Sequence, residues 1–181
     1  MKRTTLAFLL AAAALAAASI AAAATVTATG TVAGAGSVTI ASGATATFAT
    51  TLDGTDQTVN YTVPLTVVDA RGTGGGWNLT ITSTTFTTGT KTLATAASSL
   101  PSVTTSCVVS VTCTNPTNGT TYPITVPAAG TAPTAVKFFS SASATGLGSF
   151  TITPTIAVSI PGNTYAGSYS STLTVAAVAG P

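Results

Sequence analysis

From residue 25 onward the chain is dominated by short runs in which apolar residues alternate with threonine, serine or asparagine at a period of two. That period is the pleat of a half-buried β-strand, and it excludes the 3.6-residue pattern of a helix facing a core. Val59, Tyr61, Val63, Leu65 and Val67 share one face of such a run, with Asn60, Thr62 and Thr66 on the other. Trp77, Leu79 and Ile81 alternate with Asn78, Thr80 and Thr82. Phe150, Ile152, Ile156, Val158 and Ile160 alternate with Thr151, Thr153, Thr155 and Ser159, and Tyr169, Leu173 and Val175 with Ser170, Thr172 and Thr174. Shorter runs lie at Thr25–Val32, Ser37–Ile40, Ala44–Thr50, Val103–Val111, Tyr122–Val126 and Ala135–Phe139. Threonine and valine are β-branched and favour strands.

Turn clusters separate the runs: Asp53-Gly54-Thr55-Asp56, Gly72 to Gly76, Asn115 to Gly119 and Pro161-Gly162-Asn163. Many short strands at this spacing predict an all-β fold, an antiparallel β-sandwich of Ig-like or related Greek-key type. Pro64 and Pro154 fall inside two of the runs. Proline donates nothing to a ladder, so they are expected on edge strands or at bulges.

The N-terminus reads differently. Lys2 and Arg3 precede the apolar run Leu6 to Ile20, and the small residues Ala21 to Ala24 close it. A basic start, a short apolar stretch and an A-x-A-like end form a secretory signal peptide. Residues 1–24 are therefore expected to be a leader and the only helix, and 25–181 a single exported domain of about 157 residues, enough to enclose one core. No second long apolar stretch follows, and the C-terminus carries no sorting-type motif. Retention at the cell surface would then be non-covalent, or by assembly.

Charge narrows the function. Only 4% of residues are charged, where soluble domains carry roughly 25%. There is no histidine and no glutamate. A histidine-based triad, a typical zinc site and a pair of catalytic glutamates are excluded. Past the leader, Arg71, Lys91 and Lys137 face Asp53, Asp56 and Asp69, which leaves the side chains near neutral and too few cations for nucleic acid. No enzyme activity, metal or cofactor is expected.

Cys107 and Cys113 are the only cysteines, and in an exported protein they are expected to pair. On one straight strand their Cα atoms would lie about 20 Å apart, whereas a disulfide needs about 4.4–6.8 Å. Val108 to Thr112 must then fold back. Asp53 and Asp56 share a turn that suits side-chain capping better than calcium, which needs 6–8 oxygens. Asp69 and Arg71 are expected to form a local ion pair or to cap the glycine loop after them. That loop leads into a strand and not a helix, which argues against phosphate binding. Trp77, the single tryptophan, is either a core residue or an aromatic contact for a glycan or a partner.

The segment Val63–Thr82, VPLTVVDARGTGGGWNLTIT, contains Trp77-Asn78-Leu79 after an Asp/Arg-containing turn and a glycine run. It resembles the first motif of the WxL domain family. The segment Tyr169–Val175, YSSTLTV, followed by Pro181, resembles the family's second motif, Tyr-x-x-x-Leu-Thr-Trp, with Val175 where the family has tryptophan. The resemblance implies a bacterial surface protein bound non-covalently to the cell wall, with peptidoglycan or other surface proteins as partners. It carries over Trp77, Leu79, Tyr169, Leu173 and Thr174 as motif residues. The alternative is a structural subunit of a surface fibre or layer, built by strand addition with Thr25–Val32 as donor.

Overall fold

The computed structural model describes residues 29–34, 36–42 and 45–181. The signal-peptide reading and the start of the Thr25–Val32 run lie outside them, and 29–32 form no strand. Among the described residues there are twelve strands and no helix. In chain order they are β1 (Val38–Ser42), β2 (Gln57–Thr62), β3 (Leu65–Asp69), β4 (Trp77–Thr84), β5 (Thr87–Thr88), β6 (Lys91–Thr92), β7 (Ser98–Cys107), β8 (Ile124–Thr125), β9 (Ala128–Ala129), β10 (Val136–Ser141), β11 (Gly148–Ile160) and β12 (Leu173–Ala179).

One sheet runs β1-β3-β11-β7-β8, with β2 also paired to β11. The other runs β10-β4-β12, with β9 beside β4, and β5 and β6 form a small hairpin. Every pair is antiparallel except the two-residue β4–β9 contact. The two sheets make the sandwich that the alternation predicts. All twelve strands lie in the compact unit Val32–Pro181.

The apolar faces meet in one core. Leu65 and Val67 of β3, Leu79 and Ile81 of β4, Leu100 of β7 and Ile152 and Ile156 of β11 are all buried in it. In β11 the sequence period survives almost intact, with Phe150, Ile152, Ile156, Val158 and Ile160 buried. β4 is covered on both sides: Asn78 and Thr82 are buried as well, and the Thr82 hydroxyl donates to the Pro133 carbonyl at 2.8 Å. In β10 the register slips between Lys137 and Phe139, and the bulge accompanies two successive buried rings, Phe138 and Phe139.

Three expectations about strands are corrected. Val59–Val67 is not one strand. It breaks at Val63-Pro64 into β2 and β3, which pair with successive stretches of the same strand, β11. Pro154 does not lie on an edge strand, since β11 is the most extensively paired strand of its sheet, but the ladder with β7 slips register just after it, between Thr155 and Ala157. It is tolerated because it sits where the partner of β11 changes from β3 to β2. The Pro154 carbonyl accepts from the Val63 N–H at 3.2 Å, so the missing Pro154 N–H points to that same gap. Finally, 45–50 form no ladder, although their sequence alternates. They run as an extended strap, tied at Thr50 and Thr51 to the Gln57 side chain.

The cysteines pair as expected, with Cα atoms 5.9 Å apart. β7 ends at Cys107, short of the Val111 expected, and the chain turns back through a Val111 N–H to Val108 carbonyl bond of 3.1 Å. Closing so short a loop restricts the unfolded chain by about 2 kcal/mol. Urea unfolding with and without reductant should differ by that amount, and an equal loss in Cys107→Ser/Cys113→Ser would trace it to the crosslink.

Candidate functional site

The first motif builds one end of the sandwich. β3 delivers Asp69 to that end with its side chain fully buried. Arg71 turns back on it: Nε donates to Oδ1 at 2.9 Å and Nη2 to Oδ2 at 2.9 Å. The hydrogen bonds from Arg71 hold the Asp69 carboxyl below its usual range. Nη2 also donates to the Gly76 carbonyl at 2.6 Å, so the ion pair clamps both ends of the glycine loop. It is the ion pair and loop cap expected of these residues.

Gly76 has a φ of +69°, and a Cβ there would stand 2.6 Å from the Ser141 carbonyl oxygen. Only glycine fits this turn without strain. The next residue, Trp77, is 0% exposed. Its ring stacks on Phe139 at 5.4 Å between centroids and lies tilted against Phe150 at 6.1 Å. Its Nε1 donates to the Gly146 carbonyl at 2.8 Å. Gly146, at φ +69°, has no room for a Cβ beside that indole and Ser141. Leu79 is likewise 0% exposed, and Asn78 between them donates to the Gly180 carbonyl at 2.8 Å. Trp77 and Leu79 therefore offer no surface to a ligand. They anchor a loop cluster and the chain's C-terminal end.

The structure brings the second motif beside the first. β12 pairs with β4 so that Ala179 lies opposite Trp77, Ala177 opposite Leu79, Thr174 opposite Thr82 and Leu173 opposite Ser83. The two motifs share one ladder, but Leu173 sits about 20 Å along it from Trp77. Thr174 is exposed, Leu173 and Tyr169 are half-buried, and Val175 lies opposite Ile81. Tyr169 donates to the Tyr165 carbonyl at 3.0 Å, and Ser170 exchanges two backbone bonds with Thr87. These contacts fix the approach to β12.

Tyr169, Leu173, Thr174 and Val175 line a groove of about 1250 Å³ between the strap, β1, β2 and the segment before β12. Its aromatic members are Phe48, Tyr61, Phe86, Tyr165 and Tyr169. Phe48 stacks on Tyr61 at 5.5 Å and meets Phe86 edge-on at the same distance. Burial pushes the Tyr61 phenol up to about 12, so it stays a neutral donor. Aliphatic side chains, among them Ile40, Leu52, Val63, Leu65 and Ile160, share the rest of the wall with threonine and serine hydroxyls, and no carboxylate lines it among the described residues. Rings with neutral hydroxyls suit a ligand with apolar faces and many hydroxyl or amide groups. The sequence pointed to Tyr169, Leu173 and Thr174. It gave no sign of Phe48, Phe86 or Tyr165, whose rings lie far apart along the chain in segments outside the regular strands.

The three carboxylates are engaged elsewhere. Asp53 accepts from the Thr55 N–H at 2.9 Å and from its hydroxyl, Asp56 accepts from the Gly162 N–H at 2.9 Å, and Asp69 holds Arg71.

No curated protein and no solved structure matches the chain. A family model does, that of the WxL domain, described as surface cell wall-binding, over residues 34–177. The match covers both motifs, the strap and the residues that line the groove, and the chain belongs to the WxL domain family of surface cell wall-binding proteins.

Proposed function

We propose that this protein is exported, performs no catalysis and holds to the bacterial wall by binding peptidoglycan in the groove beside β12. The observation that carries the reading is the groove itself: five aromatic rings with aliphatic side chains and neutral hydroxyls between them, on a molecule of a cell wall-binding family. Sugar rings present C–H faces that pack on aromatic rings, and their hydroxyl and acetamido groups suit threonine and serine. The absence of histidine and glutamate, with every aspartate tied into a turn or an ion pair, supports a binding role over hydrolysis.

The test is co-sedimentation of the purified protein with isolated cell walls, beside a tube without walls. Pelleting with walls alone is expected, and it should persist at high salt because the contact is nearly uncharged. Protein that stays in the supernatant with walls present would overturn the reading. One observation favours assembly as a second reading. β12 has seven residues without a charge, and β4 is its only ladder partner among the described residues. Such an edge invites another strand. Pelleting in both tubes, with fibres visible by electron microscopy, would support that reading instead.

A further inference from the structure

A second, smaller hollow of about 370 Å³ adjoins the groove, and the two share Leu93, Thr164, Tyr165 and Tyr169. Its far wall carries Lys91 and Asn163. Lys91 stands on the β5–β6 hairpin, with Nζ 4.1 Å from the centre of the Tyr165 ring. Tyr165 is 64% exposed and lines both hollows, so it stands at their boundary. Its backbone is held in place. The Tyr165 carbonyl accepts from Tyr169, and the Thr164 N–H donates to the Pro161 carbonyl at 2.9 Å.

Charge singles out this corner. Of the three cations past the leader, Arg71 is spent on Asp69, and Lys137 lies on β10, outside both hollows. Among the described residues Lys91 is therefore the one cation lining either hollow, on the wall of the smaller one, and no carboxylate lines either. An ammonium set over an aromatic face, with an amide side chain lining the same hollow, complements a carboxylate hanging from a sugar ring that lies along the groove.

We propose that Lys91, Tyr165 and Asn163 form a carboxylate-reading subsite that selects the peptide-substituted glycan strand of peptidoglycan over a neutral glycan of the same backbone. Tyr165 would pack on the sugar, and Lys91 would pair with a carboxylate of the attached peptide. The inference rests on the wall-binding reading and gives it a specificity.

The experiment compares two soluble probes by calorimetry on the purified protein: a peptidoglycan tetrasaccharide with its peptides, and chitotetraose, which lacks carboxylates. The peptide-bearing probe should bind about fivefold more tightly, the size of one exposed charge pair. Lys91→Gln should remove that preference and leave chitotetraose binding unchanged, while Lys91→Arg should keep it. Tyr165→Ala should weaken both probes by about fivefold. Lys91 and Tyr165 are both exposed, so unchanged thermal midpoints will show that the variants fold. Equal binding of the two probes by the unaltered protein, binding of neither, or a preference that survives Lys91→Gln would overturn the subsite. Wall pelleting by the unaltered protein alongside such a result would leave the wall-binding reading standing. Failure to pellet would overturn both.

Discussion

Trp77→Ala is expected to cost about 3–5 kcal/mol, a large share of the roughly 5–15 kcal/mol that holds a domain folded. The indole is fully buried between Phe139 and Phe150, so its loss opens a cavity with aromatic walls. It also strands the Gly146 carbonyl, which accepts the indole N–H, and a buried acceptor without a donor adds about 1–3 kcal/mol. Trp77→Phe should separate the two effects. It keeps a ring against Phe139, loses only the hydrogen bond and part of the volume, and should cost about half as much. Urea unfolding of the three proteins measures this. A Trp77→Ala midpoint within about 1 kcal/mol of the parent would show that the motif tryptophan is not the anchor of this end of the sandwich. The variant is also a poor probe of wall binding, because it acts through the fold.

Removing Asp69 should rank second, at about 2–3 kcal/mol. Breaking a buried ion pair by deleting one partner typically costs about 3–5 kcal/mol, and the lower figure applies because the Arg71 side chain keeps 12% exposure and reaches water. In Asp69→Ala the guanidinium loses both carboxylate oxygens and keeps only the Gly76 carbonyl, so the turn before Trp77 loosens. The pair also sets an acid limit. Its hydrogen bonds to Arg71 lower the Asp69 pKa in the folded state. The stability this supplies is complete above the unfolded carboxylate value of about 3.9 and is lost as pH falls through the lower folded value. Stability should be level from pH 7 to about 5 and fall below about 4. Asp53, lowered by its bonds to Thr55, contributes to the same fall. Asp69→Asn should therefore make the acid slope shallower without abolishing it. An unchanged slope would show that the pair contributes nothing.

Much of the fold was legible in the sequence because alternation is a local property. The buried face of β11 can be read residue by residue, and so can Leu65, Val67, Leu79 and Ile81. The fold-back between Cys107 and Cys113 followed from their expected pairing and the short reach of a disulfide. The misreadings came where alternation was present but a partner was not. Residues 45–50 look like a strand and find no ladder, and Val59–Val67 looks like one strand and is two. Pro154 reads as an edge residue, yet its strand is paired on both sides. Pairing depends on what the rest of the chain places alongside, which no local pattern records.

The candidate site divides in the same way. Both motifs were visible as short words, and the composition left neutral contacts as the main currency of binding. That Trp77 and Leu79 are anchors was decided by the second sheet, which closes over their face of β4. That Tyr169, Leu173 and Thr174 border a groove was decided by the ladder of β12 on β4 and by a strap some 120 residues earlier. By itself the sequence determined strands, a near-neutral set of side chains and a chain without histidine or glutamate, because residue type and local period control those. Only the tertiary structure decided which aromatic rings are buried and which line a groove, and which lysine stands beside it. Burial is a property of what covers a side chain, and here the covering elements come from distant parts of the chain.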